Sequence, residues 1–182
     1  MDFNTNKLSR NPEEKSQKYQ IDLLNSISRG IAGLKIETSN SKKLVTWTNN
    51  LMGMVYDIFK DKQEDLYVVW LRPDTENEKT LTHYKNKGLP KNQRHYQFNL
   101  GEGVAGKVWD TGQSVGATKI DNHEWWVFRD GCENLSYIRV PVGQPRSALG
   151  VLAVGSDKGF EVSEKDISTL KIFGAILGLK KT

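Results

Sequence analysis

The sequence predicts an α+β fold, and three observations carry the prediction. Helical apolar spacing recurs near both ends of the chain, over residues 12–34, 41–60 and 163–177. Between them lie short runs rich in aromatic and β-branched residues, such as Asp65–Arg72 (DLYVVWLR) and Ala148–Gly155. Polar turns join these runs with little room for crossover helices, so an antiparallel, hairpin-built sheet follows.

Residues 1–12 read as a polar, disordered tail. A helical extension occupies 13–40, where Pro12 suits a first turn and Glu13-Glu14 suit the positive helix end. Its positions Leu24, Ile27, Ile31 and Leu34 form a narrow apolar seam of the kind that takes a partner, although Gly30 and Gly33 weaken the helix. The next helix, Ser41 to Lys60, carries two rows: Leu44, Trp47, Leu51, Met54 and Ile58, then Val45, Met52, Val55 and Phe59. One row is expected on a sheet and the other on a second helix.

Asp65–Arg72 is read as a strand ended by Pro73-Asp74, with Lys79–Asn86 as its hairpin partner. Tyr96–Leu100 is a third strand, and residues 113–134 are loop-rich. Leu135–Val142 is a strand in which Pro141 indicates an edge or a bulge, and a Gln144-Pro145-Arg146 turn leads to the strand Ala148–Gly155. Ser163 with Asp166 three residues on is a capping-box variant opening the last helix, with apolar positions Ile167, Leu170, Phe173, Ile176 and Leu177.

The stretch FNLGEGVAGKVWDTG, Phe98–Gly112, contains Gly101, Gly103 and Gly106 spaced as G-x-G-x-x-G, with Asp121 twenty residues after Gly101. A dinucleotide-binding fingerprint needs a buried parallel strand before it and a full crossover helix after it. YQFNL alternates with polar residues, the helix stops at Thr111-Gly112, and SVGATKID is too poor in branched apolar residues for a central strand. The glycines are therefore read as a tight turn and a close helix–sheet approach.

The same glycine run resembles another family. LGEGVAGKVWDTGQSV, then Asp121, LSYIRVPVG, SALGVLAVGSDKGF and EVSEKDISTLKIFGAILG are similar, in order and spacing over residues 45–180, to the GAF domain, a small-molecule and signal-sensing module. The resemblance rests on Gly101, Gly103, Gly106, Thr111-Gly112, Asp121, Ser136, Val140-Pro141, Gly150-Val151-Leu152, Phe160 and Glu164. It assigns residues 41–182 to one sensory domain. It implies a sheet of about six strands, terminal helices on one face, and a loop-lined pocket on the other.

Composition limits what such a domain does. With 182 residues the chain suits one ordinary core, and 37% apolar residues and a mean hydropathy of −0.58 fit a water-exposed protein. No apolar run reaches membrane-spanning length and no signal-peptide core opens the chain, so a cytoplasmic address without membrane contact is expected. The net charge of +4, from 26 basic and 22 acidic residues scattered along the chain, points to no nucleic-acid partner. His83, His95 and His123 are far apart, and His123 with Glu124 and Cys132 makes no paired-ligand spacing, so no metal is expected.

The segment DNHEWWVFRDGCENLSY holds the residues with the most chemistry. Two readings of its rings stand side by side. In one, Trp109, Trp125, Trp126, Phe128 and Tyr137 line a pocket in which His123, Arg129 or Arg139 orient a polar or anionic ligand. In the other, the rings close the bottom of a small core. Asp121 either touches the ligand or caps a local turn.

The resemblance to GAF domains also bears on catalysis and cofactors. A subfamily of free methionine-R-sulfoxide reductases uses several cysteines, whereas Cys132 stands alone with no partner to complete a disulfide cycle. Covalent bilin attachment uses a cysteine usually followed by His, and here Glu133 follows. The cyclic-nucleotide signature is altered at Asp157-Lys158, Phe160 and Glu164-Lys165. The expectation is a non-catalytic sensor for an unidentified small molecule, homodimeric through its terminal helices, acting on an output domain or partner protein; the alternatives are a GAF-type redox enzyme using Cys132 and a degenerate GAF dimerisation module with no ligand.

Overall fold

The computed structural model describes Ile27 and residues 41–91, 96–118, 135–143 and 148–179. Apart from the helical Ile27, the described residues form, in order, α1 (Ser41–Phe59), β1 (Leu66–Pro73), β2 (Thr80–Lys87), β3 (Phe98–Asn99), α2 (Gly103–Thr111), β4 (Val115–Ala117), β5 (Ser136–Pro141), β6 (Val151–Ser156) and α3 (Glu164–Gly178). The strands form one sheet in the order β3-β2-β1-β6-β5-β4, antiparallel throughout. The expected α+β class holds.

Local chemistry accounts for the connections. Asp74 Oδ1 accepts the N–H groups of Glu76 (2.8 Å) and Asn77 (3.2 Å), which turns β1 back into β2. At α3 the capping box is complete: Ser163 Oγ accepts the Asp166 N–H, and Asp166 Oδ2 accepts the Ser163 N–H at 2.8 Å. Lys62 in the 3-10 turn after α1 reaches the same carboxylate at 2.8 Å, tying the end of one helix to the start of the other.

The central strands alternate between two apolar clusters. Leu66, Val68, Trp70, Ile138, Val140, Leu152 and Val154 face α1 and α3, meeting Trp47, Leu51, Met52, Val55, Phe59, Leu170, Phe173 and Leu177. Val69, Leu71, Tyr137 and Val151 face α2, meeting Val104, Ala105 and Val108. β1 and β6 sit in the middle of the sheet and are covered on both faces.

Several expectations need correction. Residues 115–117, read as loop, form the outermost strand. Val-Gly-Ala offers little apolar area, yet an edge strand needs little. A Cβ at Gly116 would lie 2.8 Å from Ile167 and Val162 side-chain carbons, so α3 packs against this edge because the residue is bare. The third strand shrinks from Tyr96–Leu100 to a two-residue pairing with Thr80 and Leu81. The strand read from Ala148 begins at Val151. Pro141 ends an interior strand rather than an edge, but three-residue β4 pairs only Tyr137–Arg139, so Pro141 stands beyond its neighbour's end.

The two rows assigned to α1 merge into one stripe, Trp47, Thr48, Leu51, Met52, Val55 and Phe59, because steps of three and four share a face at 100° per residue. Met54 and Ile58 flank it and Val45 is exposed. Ile27, expected in a partner-seeking seam, is helical and packs on the first cluster of its own chain. The face expected to be a loop-lined pocket is roofed in part by α2 over the second cluster. The tail, the rest of the helical extension and the Gln144-Pro145-Arg146 turn lie outside the described residues. No described helix is long and apolar enough to cross a membrane.

Candidate functional site

The glycine turn that precedes α2 is built for packing. Gly101 has φ 74° and donates its N–H to the Gly106 carbonyl at 3.1 Å, and Glu102 N–H reaches Asn99 O at 3.0 Å. A Cβ on Gly106 would sit 2.0 Å from that Asn99 carbonyl oxygen. The bare residue lets α2 press onto β3, and the Gly101 and Glu102 amides are spent within the turn rather than turned towards a phosphate. Gly112, in the left-handed conformation, ends α2.

Beneath α2 the sheet curls. β3 and β5 are four places apart in the strand order, roughly 19 Å in a flat sheet at about 4.8 Å per strand. Yet the Arg139 guanidinium on β5 lies 5.7 Å from the ring centre of Phe98 on β3. It lies 5.1 Å from the Tyr137 ring as well. Arg139 thus reaches across a concave face and holds a cation against two rings, each such contact contributing about 0.5–2 kcal/mol according to how dry it is. Its neighbours in register, Val115 and Ala153, are small enough to leave it that reach.

Tyr137 is fully buried, and burial pushes its hydroxyl pKa above the ordinary 10.0, with the Arg139 charge pulling the other way. Trp109 on α2 is half-buried against the same cluster and donates its indole N–H to the Ala148 carbonyl at 3.1 Å. Its polar end is therefore engaged in holding α2 to the start of β6. Tyr96 and Leu100, in the segment around β3, are 44% and 43% exposed.

Of the sequence-predicted site residues, the structure brings Tyr137 and Arg139 together and sets Trp109 in the same apolar cluster as Tyr137. Asp121, His123, Trp125, Trp126, Phe128 and Arg129, with Cys132, lie outside the described residues. Phe98 was missed as a site residue. Its signal was the Tyr96-Phe98-Leu100 alternation, which puts three apolar side chains on one side of a short edge segment. Also missed was a cleft of about 570 Å³ lined by Gly112, Gln113, Ser114, Pro141, Gly143 and Lys171. Among the described residues no three His, Cys, Asp or Glu side chains gather in a way that could hold a metal ion.

Ser136 explains one family motif physically. Buried at 0% exposure, its Oγ donates to the Thr118 carbonyl and accepts the Phe160 N–H at 2.8 Å. Thr118 Oγ1 in turn accepts the Val162 N–H at 3.0 Å. The end of β4, the start of β5 and the approach to α3 are thereby pinned at one point.

Comparison with known proteins identifies the fold. A structure described as that of the GAF domain superposes with a TM-score of 0.69 at 16% identity, covering 88% of each chain. Free methionine-R-sulfoxide reductase from Neisseria meningitidis, solved with its substrate, gives 0.65 at 22% identity, covering 91% of this chain and 89% of that one. The nlh2 GAF domain of A. aeolicus in an inactive state gives 0.62 at 16% identity, covering 88% and 96%. No family model matches the chain, and no curated protein does.

Proposed function

Taking as premise that this chain has the GAF-domain fold, we propose that it is a non-catalytic sensory domain that binds a small molecule on the concave face beneath α2. The single observation that carries the reading is Arg139, a half-buried cation held over Phe98 and Tyr137. An apolar concavity with one aimed cation suits a flat organic ligand bearing an anionic group. Arg139→Gln should abolish a ligand-induced rise in melting temperature, measured from an apo melting temperature itself lowered by the loss of the two ring contacts. A ligand at a hundred times its Kd adds about 2.7 kcal/mol, well within reach of that assay.

The same reading pairs two chains through their terminal helices, so that a bound state is passed on by a small helix shift. Its support is that Val45 on α1 and Ile172 on α3 are exposed at 42% and 37%, and Leu179 just past α3 at 65%. Sedimentation at tens of micromolar should give a dimer, and Val45→Glu with Ile172→Glu should give monomers. A monomer in the unaltered protein removes the pairing but not the ligand site.

A second reading is favoured by the reductase among the structural neighbours: a redox enzyme using Cys132. The lone cysteine speaks against it, because a resolving thiol would have to come from elsewhere. Assay of free methionine-R-sulfoxide reduction in the unaltered protein and in Cys132→Ser decides the matter, and no turnover in the former ends it.

A further inference from the structure

Independently of the ligand site, we propose that the α1-facing side of the β1–β2 hairpin docks an acidic, carboxylate-rich segment of a partner protein. The pairing of β1 with β2 slips between Trp70 and Leu71: Trp70 opposes Lys85 while Leu71 opposes His83, leaving Tyr84 as an extra residue. Such a bulge re-aims side chains. Here it sets Tyr84 edge-on to Trp70, with centroids 5.0 Å apart, and brings Lys85 to the same side.

Three cations then rest on rings within one continuous surface. Arg72 lies 4.7 Å from the Tyr84 centroid, Lys85 lies 5.7 Å from it, and Lys87 lies 4.7 Å from Tyr56 on α1. Each ring attracts its cation through the negative face of its π system. None of the three takes part in the ion pairs formed between described residues, which join Lys60 to Asp57, Lys62 to Asp166 and Lys158 to Asp65. Asp74, at the hairpin tip two residues from Arg72, has an oxygen engaged by the Glu76 and Asn77 amides. The rings hold the cations in place, so less side-chain freedom is lost when carboxylates arrive.

The geometry favours carboxylates over a nucleic acid. A single strand needs open ring faces on which bases stack. Tyr84, however, already has Arg72 over its ring and Trp70 at right angles to it.

The test is fluorescence anisotropy of labelled poly-L-glutamate and, separately, of a labelled oligothymidylate, titrated with the full chain. Poly-L-glutamate should bind, its binding should weaken steeply between about 50 and about 200 mM salt, and the oligothymidylate should bind more weakly at each salt concentration. Joint replacement Arg72→Gln, Lys85→Gln and Lys87→Gln should weaken binding about tenfold or more, while Lys107→Gln with Lys171→Gln, on α2 and α3, should not. Circular dichroism and the melting temperature confirm that each variant is folded, and the single variant Lys87→Gln, at the most exposed of the three, keeps the test open should the triple variant unfold. No binding of poly-L-glutamate, equal binding by the folded triple variant, or tighter binding of the oligothymidylate would each overturn the proposal.

Discussion

The two faces of the sheet are packed by different rules. Towards α1 and α3 the strands present aliphatic side chains and Trp70, and the helices answer with a continuous buried stripe of apolar residues. Bare glycines bring the backbones together: a Cβ on Gly178 would meet the Gly143 Cα at 2.1 Å. Towards α2 the cluster is smaller and its rim is aromatic, with Phe98, Tyr67 and Trp109 half-buried and Arg139 laid across it. Close packing of mostly apolar side chains, with Thr48 and Thr169 as buried hydroxyls on α1 and α3, makes a stable wall, whereas the other face pairs a short helix with a curled sheet and one cation. Stability is concentrated on one face and chemistry on the other.

Substitutions should separate the faces in that order. Phe173→Ala, at 0% exposure in the helix-facing cluster, should cost about 3–5 kcal/mol by denaturant unfolding. Gly178→Ala should cost about 1–3 kcal/mol, because backbone rather than a flexible side chain blocks the new methyl. Phe98→Ala on the concave rim should cost only about 1–2 kcal/mol, from partial burial and the Arg139 contact. A loss at Phe98 as large as that at Phe173 would break the contrast. Ser163→Ala, which removes the cap of α3, should cost about 1 kcal/mol.

The smallest effect is a slope with pH. Tyr137 has a raised pKa when folded, so the folded state holds its proton more tightly than the unfolded chain does. Its contribution is fully present below the ordinary value of 10.0 and is lost as pH rises from there through the folded pKa. Unfolding free energy should therefore fall above about pH 10. Tyr137→Phe should flatten that part of the profile and leave neutral pH nearly untouched.

Much of the fold was legible because its signals are local. The aromatic and β-branched run of β1, the Asp74 turn and the Ser163–Asp166 cap each declare themselves within a few residues. β4 was not legible, since Val115-Gly116-Ala117 becomes a strand only through its pairing with Tyr137–Arg139 and the approach of α3. The candidate site divides the same way. Tyr137 and Arg139 were picked out by residue type, but Phe98 joins them only because the sheet curls enough to bring β3 to β5. Trp109 looked like a pocket ring in sequence, and its indole N–H turns out to anchor α2. Even the glycine spacing was correctly read as a turn, because YQFNL lacks the buried parallel strand that a dinucleotide site requires.

The most direct test of the central reading is native mass spectrometry of the purified protein and of Arg139→Gln, each followed by a denaturing mass. The account predicts extra mass on the native protein that denaturation removes and that is absent or much reduced on the variant. Equal occupancy in both, or a bare native mass in both, would contradict a ligand held by Arg139. Extra mass that survives denaturation would contradict it too, and would turn attention to an adduct on Cys132.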